Sequence, residues 1–322
     1  MAAGFRRGRF FLHTRLGAGG MGEVWLAREA TGPGTGATVA VKMLLPHLAE
    51  DARFVSLLRH EAARAAMLSH PGIVRVRGLE EADGSLLLVM EHVPGPSLRW
   101  VLERSRALGR PLPAGFVARV MTCVCEALHH AHQAGLVHAD VAPDNVLVTP
   151  SGDVKVVDFG VARLLHAEDG APRAGRTGYT APEVQAGEVP REPADLYALG
   201  AMLRELAGAS DDAEALEPLA RPALEADPKA RPASTLALRE ALAPGAAPFD
   251  SDRLGRHVTL LLASEPPRPS QPGGATTTGV IPSGAPAPAT PPTPRPWAWR
   301  GRVLVLVALA SGLAVLGLLL DR

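Results

Sequence analysis

Lysine is nearly missing from this chain. Among 322 residues with 33 basic side chains, only Lys42, Lys155 and Lys229 are lysines, so the place of each is informative. An excess of charge of either sign is missing as well. The 33 basic and 33 acidic residues cancel to a formal net charge of zero, which removes the bulk electrostatic case for nucleic-acid binding. Cysteine is scarce. Cys123 and Cys125 stand two apart in MTCVCEALHHAH, a segment patterned as a helix, where their side chains diverge. That argues against a disulfide framework and fits a reducing cytosol. His129, His130 and His132 nearby have no cysteine pair at metal spacing, so the segment reads as ordinary helix rather than a zinc site. The opening MAAGFRRGRFFLHTRL lacks the apolar stretch of a secretory signal.

Apolar residues make up 47% of the chain, enough for a sizeable core. Up to about Ala263 the text is mixed and globular. FFLHTRL, EVWLARE and TVAVKML read as strands joined by Gly-rich turns, FVSLLRHEAARAAMLSH as a helix, and IVRVRGL and SLLLVMEHV as further strands. After Ser97 the pattern turns helical. A β-rich part with one helix is therefore expected to precede an α-rich part. Residues 264–296 are dense in Pro, Gly, Ala and Thr and cannot build a core. They are expected to be a disordered linker, spanning about 30 Å if flexible and roughly 90–100 Å if polyproline-like. Its threonines read as part of a solvated spacer, with autophosphorylation as the alternative. Residues 303–320, VLVLVALASGLAVLGLLL, carry no charge. As a helix they reach about 27 Å, near the roughly 30 Å hydrocarbon core of a bilayer. Trp297 and Trp299 suit an interface, and Arg295, Arg300 and Arg302 flank the N-terminal side. One transmembrane helix with the N-terminal mass in the cytoplasm is expected, and no folded segment beyond it to sense an external ligand.

Gly17-Ala18-Gly19-Gly20-Met21-Gly22-Glu23-Val24 fits G-x-G-x-x-G-x-V. Missing side chains let backbone N–H groups approach phosphate oxygens. A dinucleotide fingerprint needs a helix directly afterwards, and EVWLARE is patterned as a strand. Val39-Ala40-Val41-Lys42 then ends an apolar strand on a cation, which needs a partner. Glu61 in the following helix is the candidate. LLLVMEHV leads from a strand into a loop that could offer backbone groups to an adenine edge. In HADVAPDN and VVDFG, three oxygen-bearing side chains stand on two short loops. Asn145 and Asp158 suit Mg²⁺, and Asp140 could accept a proton from a hydroxyl.

With Ala181-Pro182-Glu183, Asp195 in ADLYALG and Arg231 in DPKARP, these motifs follow one order. Over about residues 10–245 the chain resembles the eukaryotic-like (Hanks-type) Ser/Thr protein kinases of bacteria. The resemblance implies an α+β, bilobal fold with a β-rich N-lobe and a shortened α-rich C-lobe, followed by an extension over 246–263. It implies ATP and Mg²⁺ as cofactors and a cytoplasmic protein as substrate. Leu16, Gly17, Gly19, Gly22, Val24, Ala40, Lys42, Met90, Glu91 and Val93 would line the ATP site, with Lys42 on the α- and β-phosphates and paired with Glu61. Asp140 would be the base, and Asn145 and Asp158 would hold the metal. Asp195 would brace the catalytic loop, and Glu183 would pair with Arg231.

Four departures stand out. Ala139 replaces an Arg that meets a loop phosphate in the family, and Val161 to Arg176 offers no Ser, Thr or Tyr to carry one. The two absences agree and imply loss of control by loop phosphorylation. Ala142 replaces a Lys that steadies the transferring phosphate, a loss of about 10²–10³ in rate at comparable sites. Arg176 stands where the family expects Thr, and is expected to supply the cation that Ala142 cannot. The stretch between LRELAG and DPKARP is short, which puts peptide docking in question. An active membrane-anchored kinase and a pseudokinase scaffold are thus both open, with intact Asp140 favouring the enzyme.

Overall fold

Period-two alternation builds the first half of the molecule. In β2 (Phe10–Gly19), Phe10 and Leu12 are buried while Phe11 is exposed, as a sheet covered on one face requires. The computed structural model describes residues 4–159 and 178–264. Its first sheet also contains β1 (Phe5–Arg7), β3 (Gly22–Glu29), β4 (Thr38–Leu44), β5 (Val76–Ala82) and β6 (Ser85–Glu91), in the order β1-β2-β3-β4-β6-β5, antiparallel throughout. Val39 and Val41 pack on one side with Phe10, Leu12, Leu87 and Val89. Ala40 and Leu44 pack on the other, against Phe54, Leu58 and Ala62 of a helix. Alternation puts Lys42 on that second side.

After the short α1 (Pro46–Glu50), that helix is α2 (Ala52–Met67). Asp51 starts it by accepting from the backbone N–H groups of Arg53 (2.8 Å) and Phe54 (3.1 Å). Its buried face is Phe54, Leu58, Glu61, Ala62 and Ala65, the spacing of one helical stripe that includes a carboxylate. The strand expected from Ile73 begins only at Val76. Val74 N–H instead donates to Val156 O (2.9 Å) and Val156 N–H to Gly72 O (2.8 Å), so backbone groups that the sheet does not use join it to the helical half.

That half holds α3 (Leu98–Leu108), α4 (Ala114–Gln133), a hairpin of β7 (Val146–Val148) and β8 (Val154–Val156), α5 (Pro182–Gln185), α6 (Glu192–Ala207), α7 (Ala213–Ala220), α8 (Thr235–Ala246) and α9 (Ser251–Ala263). Apolar residues on several faces sink α4 into the centre, with Phe116, Val120, Met121, Val124, Cys125 and Leu128 inaccessible. Cys123 and Cys125 are free thiols on it, and burial pushes the Cys123 thiol up. The described residues hold no cluster of metal-ligating side chains. The boundary expected at 245 falls inside α8, and the segment expected as an appended extension is integral: Leu254, Val258 and Leu261 of α9 join the core around α4. A Cβ on Gly152, whose φ is +85°, would lie 1.9 Å from Ser251 O, and one on Gly255 would lie 2.2 Å from Pro150 O. Only glycine lets α9 sit this close to the β7–β8 turn. No helix among the described residues is long and apolar enough to cross a membrane; the expected linker, 264–296 beyond Ser264 itself, and the expected span 303–320 lie outside them.

Candidate active site

The β2–β3 hairpin brings the glycine loop to the sheet edge, with Gly17 opposite Val24 and Gly19 opposite Gly22. Gly22 is required by packing: its φ is +150°, and a Cβ would stand 2.0 Å from Met43 O. Gly17, Gly19 and Gly20 are different, since a Cβ on any of them would meet nothing within 4 Å. Packing does not explain these three, and their backbone can be approached closely by an anion. Behind the loop, Val24, Ala40, Met90 and Val93 share one apolar cluster with Leu147 of β7 and Val157. Leu16 lies outside that cluster and is exposed. The Glu91 carboxylate is taken by Lys155 Nζ of β8 (2.5 Å) and the Arg75 N–H (3.1 Å), which ties the end of β6 to the β7–β8 hairpin.

The β7–β8 hairpin positions the oxygen donors. Val157 N–H donates to Asn145 O (2.9 Å), so Asn145 and Asp158 come from adjoining ends of the two strands. Asn145 Nδ2 donates to Asp140 O and to Asp140 Oδ2, both at 2.8 Å. Lys42 Nζ lies 2.8 Å from Asp158 Oδ2. The expected Lys42–Glu61 pair is therefore not the one formed. Asp158, with φ of +65°, holds the ammonium, while Glu61 Oε1 lies 3.5 Å from Arg64 Nη1, one turn along its own helix.

The catalytic-loop backbone is held from below. Buried Asp195 on α6 accepts from His138 N–H (2.9 Å) and from His132 Nε2 (2.7 Å) through Oδ2, and from Ala139 N–H (2.8 Å) through Oδ1. Ala139 has φ of +65°, a conformation a β-carbon disfavours, and the Asp195 bond pins it. His138 Nε2 donates to Val157 O (2.8 Å), which leaves Nδ1 to accept from Asp140 N–H (3.2 Å). Its ring meets Phe159 edge-on, centroids 4.7 Å apart. Ala142 is fully buried, a methyl where the resemblance expects a cation.

Lower down, Arg231 Nη1 and Nη2 grip Glu183 at 2.6 and 2.7 Å. Arg231 also donates to the carbonyls of Glu225, Pro193 and Ala226. Burial raises the Glu183 pKa, but the Arg231 bonds outweigh it and hold it below the usual range. Arg99 on α3 joins Asp144 (3.3 Å), Tyr179 (2.8 Å) and Glu205 (2.5 Å). Burial and the Glu205 contact push Tyr179 up to about 12. The short lobe segment folds as α7 and a 3₁₀ turn, Arg221–Leu224, against α6. Arg176 and Gly160 lie outside the described residues.

Sequence reading missed several of these residues. His132 was read as an ordinary helix residue and is a partner of Asp195. Its signal is a histidine on the apolar face of α4, in register with Cys125 and Leu128. Leu147 and Lys155 stand directly opposite each other across the hairpin, and scarcity already singled out Lys155. Arg99 and Arg64 gave no signal, because surface arginines are common here.

The donor set fits a magnesium-bound nucleotide: three oxygen-bearing side chains, one ammonium, three glycines with open backbone, and an apolar wall. The family model "Protein kinase domain" matches residues 10–237. Over 210 residues the chain is 36% identical to "Tyrosine-protein kinase MasK" of Myxococcus xanthus, covering 62% of this chain and 32% of that protein. Over 204 residues it is 40% identical to "Serine/threonine-protein kinase PknA" of Mycobacterium tuberculosis, covering 60% and 45%. A crystal structure of the Mycobacterium tuberculosis PknI kinase domain matches with TM-score 0.62 and 30% identity, covering 77% of this chain and 99% of that one. The chain thus spans less than half the length of these two curated relatives.

Proposed function

Given that the chain belongs to the protein kinase domain family, we propose that it is a Ser/Thr protein kinase working at the inner face of a membrane, without control by activation-loop phosphorylation. One observation carries the reading. Lys42, Asp158, Asn145 and Asp140 form a continuous set, with Lys42 on Asp158, Asn145 on Asp140 and the hairpin backbone joining Asn145 to Val157. A chain that only docks a partner has no chemical need of all four.

ATP would supply the transferable phosphoryl group, and Mg²⁺ would neutralise charge on it. Gly17, Gly19 and Gly20 would approach the phosphates through backbone N–H groups, and Val24, Ala40, Met90, Val93 and Leu147 would enclose the adenine. Lys42 would hold phosphate oxygens, and Asn145 and Asp158 would offer hard oxygen ligands to the metal. Asp140 Oδ2 accepts the proton of the attacking hydroxyl, oriented by Asn145 Nδ2. Asp195 and His138 fix the backbone around it. Arg176 supplies the cation missing at Ala142, which an Arg176→Thr variant tests: phosphotransfer should fall by about tenfold or more, and unchanged transfer removes this role.

The anchor is residues 303–320, and the test is fractionation of the full chain against one ending at 264. The reaction is tested on residues 1–264, which form one compact unit, with Mg-ATP and a generic protein substrate. Transfer to Ser or Thr, lost in Asp140→Asn, supports the enzyme. Transfer to Tyr instead would follow the first relative and revise the substrate class. A second reading, an ATP-binding scaffold, is favoured by the buried methyl of Ala142; binding without transfer supports it.

A further inference from the structure

One buried charge is left unexplained by that chemistry. Glu61 is 6% exposed, and its Oε2 has no hydrogen-bond partner among the described residues. Such an atom is costly unless it is kept for something. Lys42 shares its side of β4 with Ala40 and Leu44, which pack against Leu58 and Ala62 of α2. Glu61 lies on that same face of α2. The two charges thus front one interface, although Lys42 is bonded to Asp158.

Arg64 is what restrains the carboxylate. Its Nη1 stands 3.5 Å from Glu61 Oε1, and its Nη2 donates to Ala134 O (3.4 Å) and to Gly135 O, the carbonyls just past α4. A planar guanidinium can serve two directions at once; an ammonium on one stem cannot do so as rigidly. Gly135 has φ of +69°, and a Cβ there would stand 3.3 Å from Arg64 Nη2, so the contact is close.

We propose that Arg64 is a positioning residue. It fixes Glu61 through Oε1 and keeps Oε2 for Lys42 when Asp158 turns to a divalent cation, and it links that exchange to α4 in the helical half. This rests on the reading of Lys42 and Asp158 as nucleotide and metal contacts. Two cations on one carboxylate also admit the opposite sign, in which Arg64 draws Glu61 away from Lys42, and the test separates them.

The full chain is compared with Arg64→Ala, Glu61→Ala, the double variant and Arg64→Lys, by kcat, by Mg-ATP affinity, and by amide exchange without nucleotide. Arg64→Ala should lower kcat about two- to fivefold, the scale of a partly exposed ion pair at 3.5 Å, and speed exchange in α2 and residues 134–136. The double variant should be no worse than Glu61→Ala, because Arg64 acts through Glu61. Arg64→Lys should fall between wild type and Arg64→Ala. A rise in kcat or affinity on Arg64→Ala overturns the proposal in favour of competition. Losses that multiply in the double variant overturn it in favour of a purely structural role. If Glu61→Ala changes neither kcat nor affinity, the Lys42–Glu61 exchange itself fails, whatever Arg64 does.

Discussion

Replacing Asp195 by Asn changes one atom in a site with no slack. The carboxylate receives three hydrogen bonds, from His132 Nε2, His138 N–H and Ala139 N–H, and the residue is 1% exposed. An amide has only one acceptor oxygen. If that oxygen takes the place of Oδ2, the new NH₂ faces the Ala139 N–H, and neither donor has an acceptor. The reverse orientation confronts the NH₂ with two donors. The first is cheaper, and with each buried unsatisfied donor costing about 1–3 kcal/mol the pair costs about 2–6 kcal/mol. For a domain of this size that is a fall of about 4–24 °C in melting temperature. The orphaned Ala139 N–H decides the functional effect. Ala139, at φ of +65°, loses the bond that holds it, and Asp140 follows directly. Phosphotransfer should therefore fall about tenfold or more, while Mg-ATP affinity, shared among the glycine loop, Lys42, Asn145 and Asp158, falls less. Thermal unfolding, calorimetric ATP binding and turnover are measured on the same samples. A variant with the wild-type melting temperature and turnover would refute the argument that Asp195 holds the loop.

Arg231→Met should destabilise by about 3–5 kcal/mol, because it leaves the Glu183 carboxylate buried and uncompensated, while Arg231→Met with Glu183→Leu should recover part of that loss in urea unfolding. Gly152→Ala must displace Ser251 O and adopt an unfavourable φ, so about 2 kcal/mol or more is expected, with protease cutting ahead of α9 as the readout. Glu183 and Glu205 are both held below their ordinary value of 4.5. Unfolded chains then take up protons first, so their contribution is complete above that pH and lost as pH falls through the folded values; Glu183→Gln should flatten the acid limb of stability against pH. For His257, burial lowers the pKa from 6.5. The unfolded form again binds the proton first, so stability should fall as pH drops below about 6.5, and less so in His257→Phe.

The local spacing of residues was enough for much of this protein. Period-two runs placed the strands, and the helical pattern of FVSLLRHEAARAAMLSH placed most of α2, whose start at Asp51 came from the structure. The order of short motifs placed the glycine loop, Lys42, Asp140, Asn145 and Asp158, because each needs a residue type at a fixed chain offset. What spacing does not carry is the choice among partners. Lys42 had two carboxylates to choose from, and the sequence favoured Glu61. Tertiary structure put Asp158 at 2.8 Å and gave Glu61 to Arg64. The same holds for α9, whose composition marks no boundary or continuity, and whose place was decided by two glycines meeting two carbonyls. Pattern is a property of neighbours along the chain. Pairing depends on distances between segments far apart in it, and those are set only when the segments fold together.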